Sequence, residues 1–317
     1  MKLTGIICIF SFWSLTLLAQ VNLVPNPSFE DTTSCPIFSG ISYATGWFNS
    51  GASPDYYNWC ANGNSPAFGV PSNWLGNQFA FHGNAYAGIV LWYVGSREFI
   101  GVQLTQMLIP GTEYFVSGYI SRGDSSDASP FTCSSNNFSF RFSTVAYDYS
   151  QSNPAPVDNY SHVHAETIIT DNFGWTRISG SFIADSAYQF LTIGNFYGDA
   201  NTDTAFCNYS LALAYYYVDA ICVSTDSLTC LNWMEVNEYS EHWPKLYVHP
   251  NPSNGQLYIE NLPQDKASPF SLRNIAGEIV NEGTLTTQLN QIDVSPLAKG
   301  VYVLQVNGQH LKVLITH

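Results

Sequence analysis

Hydrophobic and polar positions in this chain alternate every second residue far more often than every third or fourth, which is the signature of strands rather than helices. In Asn137–Thr144, Phe138, Phe140 and Phe142 fall on one face, and Ser139, Arg141 and Ser143 on the other. In Glu113–Arg122, Tyr114, Val116, Gly118 and Ile120 share a face in the same way. Runs rich in Tyr, Phe, Val, Ile and Thr predict further strands near Asn22–Val24, Ala85–Trp92, Arg97–Gln106, Trp175–Ala184, Gln189–Phe196 and Ala214–Ser224. About eight strands with almost no helix signal predict an all-β fold, a β-sandwich and most simply a jelly roll. From Leu246 onward strand runs alternate with the turn signals PNPSNG, NIAGE, PLAKG and VNGQ, with Asn-Gly at 254–255 and again at 307–308. This predicts a second, small Ig-like β-sandwich with Leu257, Ile259, Leu272, Ile279, Val301, Val303, Leu304, Val313 and Ile315 as its core.

One stretch breaks the pattern. Thr32–Phe79 is loop-like, dense in Gly, Pro and Asn, and carries Trp47, Tyr56, Tyr57, Trp59 and Trp74. A structureless loop of that length is unusual in a compact domain. A bond between Cys35 and Cys60 turns it into a stapled excursion, worth about 3 kcal/mol in the loop-entropy picture. Aromatic loops held this way tend to carry function. Ser125–Asn136 and Ser150–Val163 read as surface loops, and Asp226–Pro244 as a polar, acidic connector. The domain plan is a signal peptide at 1–19, a binding domain at 20–230, a linker at 231–245 and a terminal domain at 246–317.

The first residues support export. Lys2 provides the positive start, Ile6–Leu18 the apolar core, and Ala19 a small residue before a cut at Gln20. That run is short for a bilayer, and no later stretch approaches about 18 apolar residues, so no transmembrane segment is expected. Cys8 leaves with the signal peptide. Cys35, Cys60, Cys133, Cys207, Cys222 and Cys230 remain, and an even number in an exported chain favours disulfides. Several connectivities are open; proximity favours Cys35–Cys60 and Cys222–Cys230, leaving Cys133 with Cys207. Metal binding is the rival, but no CxxC occurs and the spacings suit no zinc site.

Charge narrows the partners. The net charge is −14, so nucleic acid is excluded, since phosphate contact needs a basic face. Between Gln20 and Cys230 there is no lysine, and the cations are Arg97, Arg122, Arg141 and Arg177. Charged residues make up 11% of the chain and aromatics 15%, against about a quarter charged in an ordinary domain. Such a surface suits a protein that meets neutral polymers outside the cell; it also suits a plain β-sandwich.

No catalytic motif stands out: no GxSxG elbow, no HExxH and no phosphate loop. Glycoside hydrolysis needs two carboxylates about 5 to 9 Å apart, and none of the 16 acids between Gln20 and Cys230 is singled out by spacing. His162 and His164, two apart, would share a strand face and could bind a metal, though such pairs are more often polar loop features. Arg122-Gly123-Asp124 spells an integrin-type tripeptide, which a turn at a strand end also explains.

The segments LYVHPNPSNGQLYIENLP, FSLRNIAGEIV, QIDVSPLAKGVYVLQV and LKVLITH, in that order to the end of the chain, resemble the type A C-terminal sorting domain of the type IX secretion system of Bacteroidota. Pro250, Asn251, Pro252, Gly255, Gly277, Gly300, Tyr302 and Lys312 carry the likeness. It implies the type IX secretion machinery as a partner and the outer-membrane surface or the exterior as the destination. The larger domain resembles galactose-binding-like jelly rolls, which include many carbohydrate-binding modules. The likeness rests on NLVPNPSFED and YYYVDAICVS; between them CPIFSGISYATGWFNSGASPDYYNWC, GVPSNWLGNQFAFHGNAYAGI, REFIGVQL and FLTIGNFYGDANTDT resemble a surface-domain type common in exported Bacteroidota proteins. The jelly-roll resemblance implies a structural calcium ion (Ca2+) tying the first strand to the last through Glu30 or Asp31 with Asp219, helped by a carbonyl near Asn26. Capping and turn chemistry by the same acids is the alternative. It also implies sugar binding by aromatic stacking, with Trp47, Tyr57, Trp59, Trp74 and Trp92 as platforms and Asp55, Asn73 and Gln78 as polar partners. Core packing competes for each of them. Thr32, Ser186, Thr204 and Ser227 sit in triplets resembling an O-glycosylation motif of the same bacteria.

The expectation is therefore an exported, non-catalytic protein that binds a polysaccharide or glycoconjugate. A surface adhesion domain with a protein partner and a hydrolase with an unmarked site are the alternatives.

Overall fold

The computed structural model describes residues 21–123, 133–207, 213–232, 246–260, 268–274, 278–286, 290–306 and 309–316. The expected signal peptide, nearly all of the linker, Asp124, Gly277 and the Asn307-Gly308 turn lie outside the described residues.

The body is all-β. Its strands are β1 (Trp47–Gly51), β2 (Asp55–Asn58), β3 (Ser72–Asn73), β4 (Gly76–Asn77), β5 (Ala85–Trp92), β6 (Phe99–Gln103) and β7 (Glu113–Arg122). They continue with β8 (Ser134–Ser135), β9 (Ser139–Ser143), β10 (Val163–His164), β11 (Thr176–Ile183), β12 (Phe190–Gly194), β13 (Thr204–Ala205) and β14 (Ala214–Ser224). Two five-stranded antiparallel sheets result, in the orders β1-β6-β12-β9-β10 and β11-β7-β14-β5-β2. The chain passes back and forth between them, as a jelly roll requires.

Between the sheets the period-two pattern works as expected. Ala87, Ile89 and Leu91 of β5, Val116 and Ile120 of β7, Phe140 and Phe142 of β9, Leu191 and Ile193 of β12, and Tyr216 and Val218 of β14 form one buried core. Each of the Val, Leu, Ile and Phe side chains among them contributes about 1.5–3 kcal/mol by leaving water. The start of the chain closes onto its end: Leu23 N donates to Val223 O at 2.8 Å and Ile221 N to Pro27 O at 2.9 Å. Asn22–Val24, expected as a strand, is instead an extended segment stitched alongside β14, with Asn22 Oδ1 accepting from Val223 N.

Thr32–Phe79 is not structureless. It supplies β1 at the edge of one sheet and β2 at the edge of the other. From Trp59 the chain, continuing past Phe79 to Asn84, folds back over the outer face of the β2-β5-β14 region. There Val70, Leu75 and Ala80 pack on Tyr57, Tyr86, Tyr215 and Tyr217. The opposite sheet is covered too: Ala155 of the loop after β9 packs on Phe99 and Phe196, and its N–H donates to Ser50 O at 2.9 Å. The three disulfides are Cys35–Cys60, Cys133–Cys207 and Cys222–Cys230. The last ties β14 to helix α1 (Ser227–Asn232), which runs through the position where the linker was expected to begin.

The tail is a separate sandwich of β15 (Tyr247–His249), β16 (Gln256–Glu260), β17 (Ser268–Asn274), β18 (Ile279–Leu285), β19 (Gln291–Asp293), β20 (Gly300–Val306) and β21 (Gln309–Ile315). Its sheets are ordered β15-β16-β19 and β18-β17-β20-β21. Leu257, Ile259, Leu272, Leu304, Val313 and Ile315 form the expected core. Val301, Val303 and Ile279 do not; they are exposed. In a strand Val303 and Leu304 cannot both face inward, and Tyr302, Leu304 and Val306 take the inner positions. Asn251 fastens the Pro-Asn-Pro segment to the last strand. Its amide donates to Lys312 O at 2.6 Å, and its carbonyl accepts from Leu314 N at 2.9 Å.

Candidate functional site

Four of the residues expected at a sugar site are interior. Trp47 is 3% exposed, stacks on Phe29 and donates its indole N–H to Asn26 O. Tyr57 is fully buried among Tyr86, Tyr215 and Tyr217. Its hydroxyl lies 2.9 Å from that of Tyr215, which donates to Asp55 Oδ2 at 2.7 Å. Burial pushes the Asp55 carboxyl up to about 7, and the buried, elevated Glu98 carboxyl nearby adds to it. Gln78 reaches under the sheet, donating to Ser121 Oγ at 2.5 Å and Gly174 O at 3.1 Å. Asp55, Tyr57 and Gln78 thus serve the cover layer over the sheet, and Trp47 belongs to the core between the sheets.

The exposed part of the set gathers at the tip of the covering segment. The β3–β4 ribbon turns through Asn73, Trp74, Leu75 and Gly76. Leu75 is 2% exposed and packs on the tyrosines, whereas Trp74 is 49% exposed. Asn73 anchors the turn from below: its amide donates to the Tyr86 hydroxyl at 3.0 Å, and its carbonyl accepts from Tyr217 at 2.9 Å and Leu75 N at 2.9 Å. Asn62 clamps the base of the segment, donating to Val70 O and accepting from Val70 N. Beside Trp74 lies a shallow hollow of about 310 Å³, edged by Asn62, Pro66, Ser72 and Asn73. Trp74 is thus a large apolar ring held outward on a turn that the Asn73 hydrogen bonds and the packing of Leu75 fix in place. Trp59 is half-buried at the other end of the segment, its N–H bonded to Asn84 O. Trp92 is half-buried at the end of β5, beside Asp199.

The proposed calcium ligands divide. Glu30 Oε1 accepts from Asn84 N and Ala85 N at 2.8 and 2.9 Å. Gly83, at φ +69°, is required there, because a Cβ would sit 2.2 Å from the Glu30 carboxyl carbon. Asp219 is fully buried and accepts from His82 N at 3.0 Å. Burial lifts the Glu30 carboxyl to about 7 and the Asp219 carboxyl well above the usual range; the neighbouring Asp31 adds to the first and Glu30 to the second. Two desolvated carboxyl groups of this kind are hard oxygen ligands that a cation such as calcium could use. Asn26 does not: its amide bridges Asp31 O and Thr45 O, and its main-chain carbonyl accepts from Trp47. Asp31 is exposed next to Glu30. Among the described residues no three His, Cys, Asp or Glu side chains form a metal cluster.

His162 and His164 do not act together. His162 packs on Phe142 and Phe182, accepts from Phe142 N, and burial drops it to about 4, so it is neutral. His164 faces Tyr197 and Ser161 instead. The sequence reading passed over one feature altogether, a hollow of about 460 Å³ on the opposite side of the body, walled by Arg97 and Asp199. The available signal was Arg97 itself, one of four cations in the whole body.

Residues 247–315 match the secretion system C-terminal sorting domain. No curated protein matches the chain. Among solved structures, a Clostridium thermocellum xylanase 10B fragment with its CBM22-1 and GH10 modules, complexed with xylohexaose, aligns at TM-score 0.32 and 12% identity over 57% of this chain and 26% of that one. The enzymatically active domain of bacteriophage CBA120 tailspike protein 4 aligns at TM-score 0.28 and 11% identity over 64% and 21%. The binding domain of botulinum neurotoxin serotype D aligns at TM-score 0.24 and 9% identity over 82% and 68%. The chain thus spans about a quarter or less of the first two. Among the described residues no helix is long and apolar enough to cross a membrane. What the tail match does carry is the destination: the chain bears a type IX C-terminal sorting domain and is cargo for export to the outer-membrane surface or beyond.

Proposed function

We propose that the exported body is a non-catalytic binding module for a neutral polysaccharide or glycoconjugate, with Trp74 as its stacking platform. The observation that carries this reading is the half-exposed Trp74 ring on a turn that Asn73 and Leu75 lock to the buried tyrosines. Folding gives no reason to expose that ring, and the CH face of a pyranose is its natural partner. Around the hollow, Asn62 and Asn73 each carry a second amide hydrogen beyond the one that holds the segment, and Ser72 a hydroxyl, to meet sugar hydroxyls. The lysine-free surface supports an uncharged ligand.

The test is retention of the mature protein on insoluble polysaccharides. Wild type is retained on at least one, and Trp74→Ala loses retention with an unchanged melting temperature. Retention that survives in Trp74→Ala, or no retention by a folded wild type on any polysaccharide, rejects the reading. A structural calcium ion at Glu30 and Asp219 belongs to the same proposal, completing its shell with main-chain oxygens and water. Calcium then raises the melting temperature of wild type and leaves that of Glu30→Gln unchanged; equal responses rule the ion out.

A further inference from the structure

The 460 Å³ hollow lies on the far sheet from Trp74, where β1, the loop before β6, the loop after β9 and the loop after β12 converge. Its size falls within the roughly 300–1,000 Å³ of small-molecule sites. One wall is an ion pair built into the fold. The Arg97 side chain is 4% exposed, and its guanidinium donates to Tyr93 O, Ser96 O, Tyr197 O and, at 2.6 Å, to Asp199 Oδ1. The Asp199 side chain is 45% exposed, and its second oxygen accepts from Gly95 N at 3.3 Å. The guanidinium holds that carboxyl below its ordinary range, so it stays an acceptor at neutral pH. Facing it are the exposed ring of Tyr149, and Phe99, Ala155 and Val157 as apolar surface.

A pocket that joins a fixed carboxylate to an aromatic ring and an apolar floor matches one chemistry well. The carboxylate accepts from two neighbouring hydroxyls, while the ring and floor take a CH face. The ionised Asp199 repels an anionic ligand, and the buried Arg97 has its charge answered by Asp199, which leaves no free cation in the wall to hold one.

We infer that this hollow is a second binding site, separate from Trp74, for a single uncharged sugar ring such as the exposed end of a glycan chain. The ligand class rests on the carbohydrate reading of the body, but the site is tested by itself. Four chain segments line the hollow, and its volume of about 460 Å³, against about 310 Å³ beside Trp74, leaves room to seat one ring.

The experiment is saturation-transfer NMR on the mature protein with methyl glycosides of neutral hexoses, pentoses and N-acetylhexosamines, and with methyl glucuronide as the charged control. Affinity is then measured for Tyr149→Ala, Val157→Arg and Trp74→Ala. At least one neutral glycoside binds, the glucuronide does not, Tyr149→Ala and Val157→Arg each weaken binding tenfold or more, and Trp74→Ala leaves it unchanged. Absence of binding by every neutral glycoside overturns the inference, as does binding that both pocket variants leave intact. Retention on polysaccharide through Trp74 is unaffected by either pocket variant, so failure here and failure of the platform reading are told apart. Tyr149 and Val157 are both exposed, and unchanged melting temperatures confirm that the variants fold.

Discussion

The tail and the body are both sandwiches, yet their strands look different in sequence because they differ in how many faces are covered. In the tail, β16 buries Leu257 and Ile259 between exposed Gln256, Tyr258 and Glu260. In the body, every residue of β14 is buried, including Tyr215, Tyr216, Tyr217 and Asp219. One face of β14 meets the inter-sheet core and the other meets the segment folded back from β2. Polar groups survive there only with partners: Tyr215 donates to Asp55, Tyr216 to Ile169 O at 2.6 Å, and Tyr217 to Asn73. Alternation of polarity therefore reports one covered face, and its loss in an antiparallel sheet reports two.

The largest effect that could break this comparison is removal of a tyrosine from the cover layer. Tyr86 is fully buried there, so Tyr86→Ala costs the body about 3–5 kcal/mol in denaturant unfolding, the range of a large core truncation. A cost below about 1 kcal/mol would make the segment a loose flap instead of a second core.

The next effect is pH dependence. The Asp55 carboxyl is raised to about 7 by burial. Between its ordinary range and about 7 the folded body keeps a proton that the unfolded chain has released, so the folded form binds more protons. Its contribution to stability is complete below the unfolded pKa and is lost as the pH rises through about 7. The full shift corresponds to on the order of 4 kcal/mol. The melting temperature of the body falls between pH 5 and pH 8, and Asp55→Asn makes that fall shallower. An equally steep fall in Asp55→Asn would remove Asp55 from the explanation.

The smallest effect sharpens the tail side. Val303 is 40% exposed and Leu304 is fully buried. Val303→Thr changes tail stability by no more than about 0.5 kcal/mol, whereas Leu304→Ala costs about 2–5 kcal/mol. Similar costs for both would show the register of β20 to be misassigned.

The same contrast explains what was legible. Ala85–Trp92, Glu113–Arg122 and Ala214–Ser224 were readable to the residue, because long runs of β-branched and aromatic residues admit no other element. The cysteine pairs that proximity favoured among the open connectivities are those that form. β1 and β2 were hidden, since WFNSG and DYYN are short edge strands in a Gly- and Asn-rich setting. The candidate site was legible only in part for a related reason. Aromatics in a polar loop look like a binding surface until the loop is known to lie on a sheet, and then Tyr57 and Gln78 become its underside while Trp74 stays outside. The hollow at Arg97 and Asp199 joins residues about a hundred positions apart, and no local pattern announces such a meeting.

The platform claim is tested most directly by watching the Trp74 ring itself. Its indole N–H resonance, assigned by its loss in Trp74→Phe, is followed while an oligosaccharide of the retained polysaccharide is titrated into the mature protein. A saturable shift of that resonance is expected, with those of the buried Trp47 and the remaining tryptophans of the body unmoved. Saturable binding that leaves the Trp74 resonance in place would contradict it.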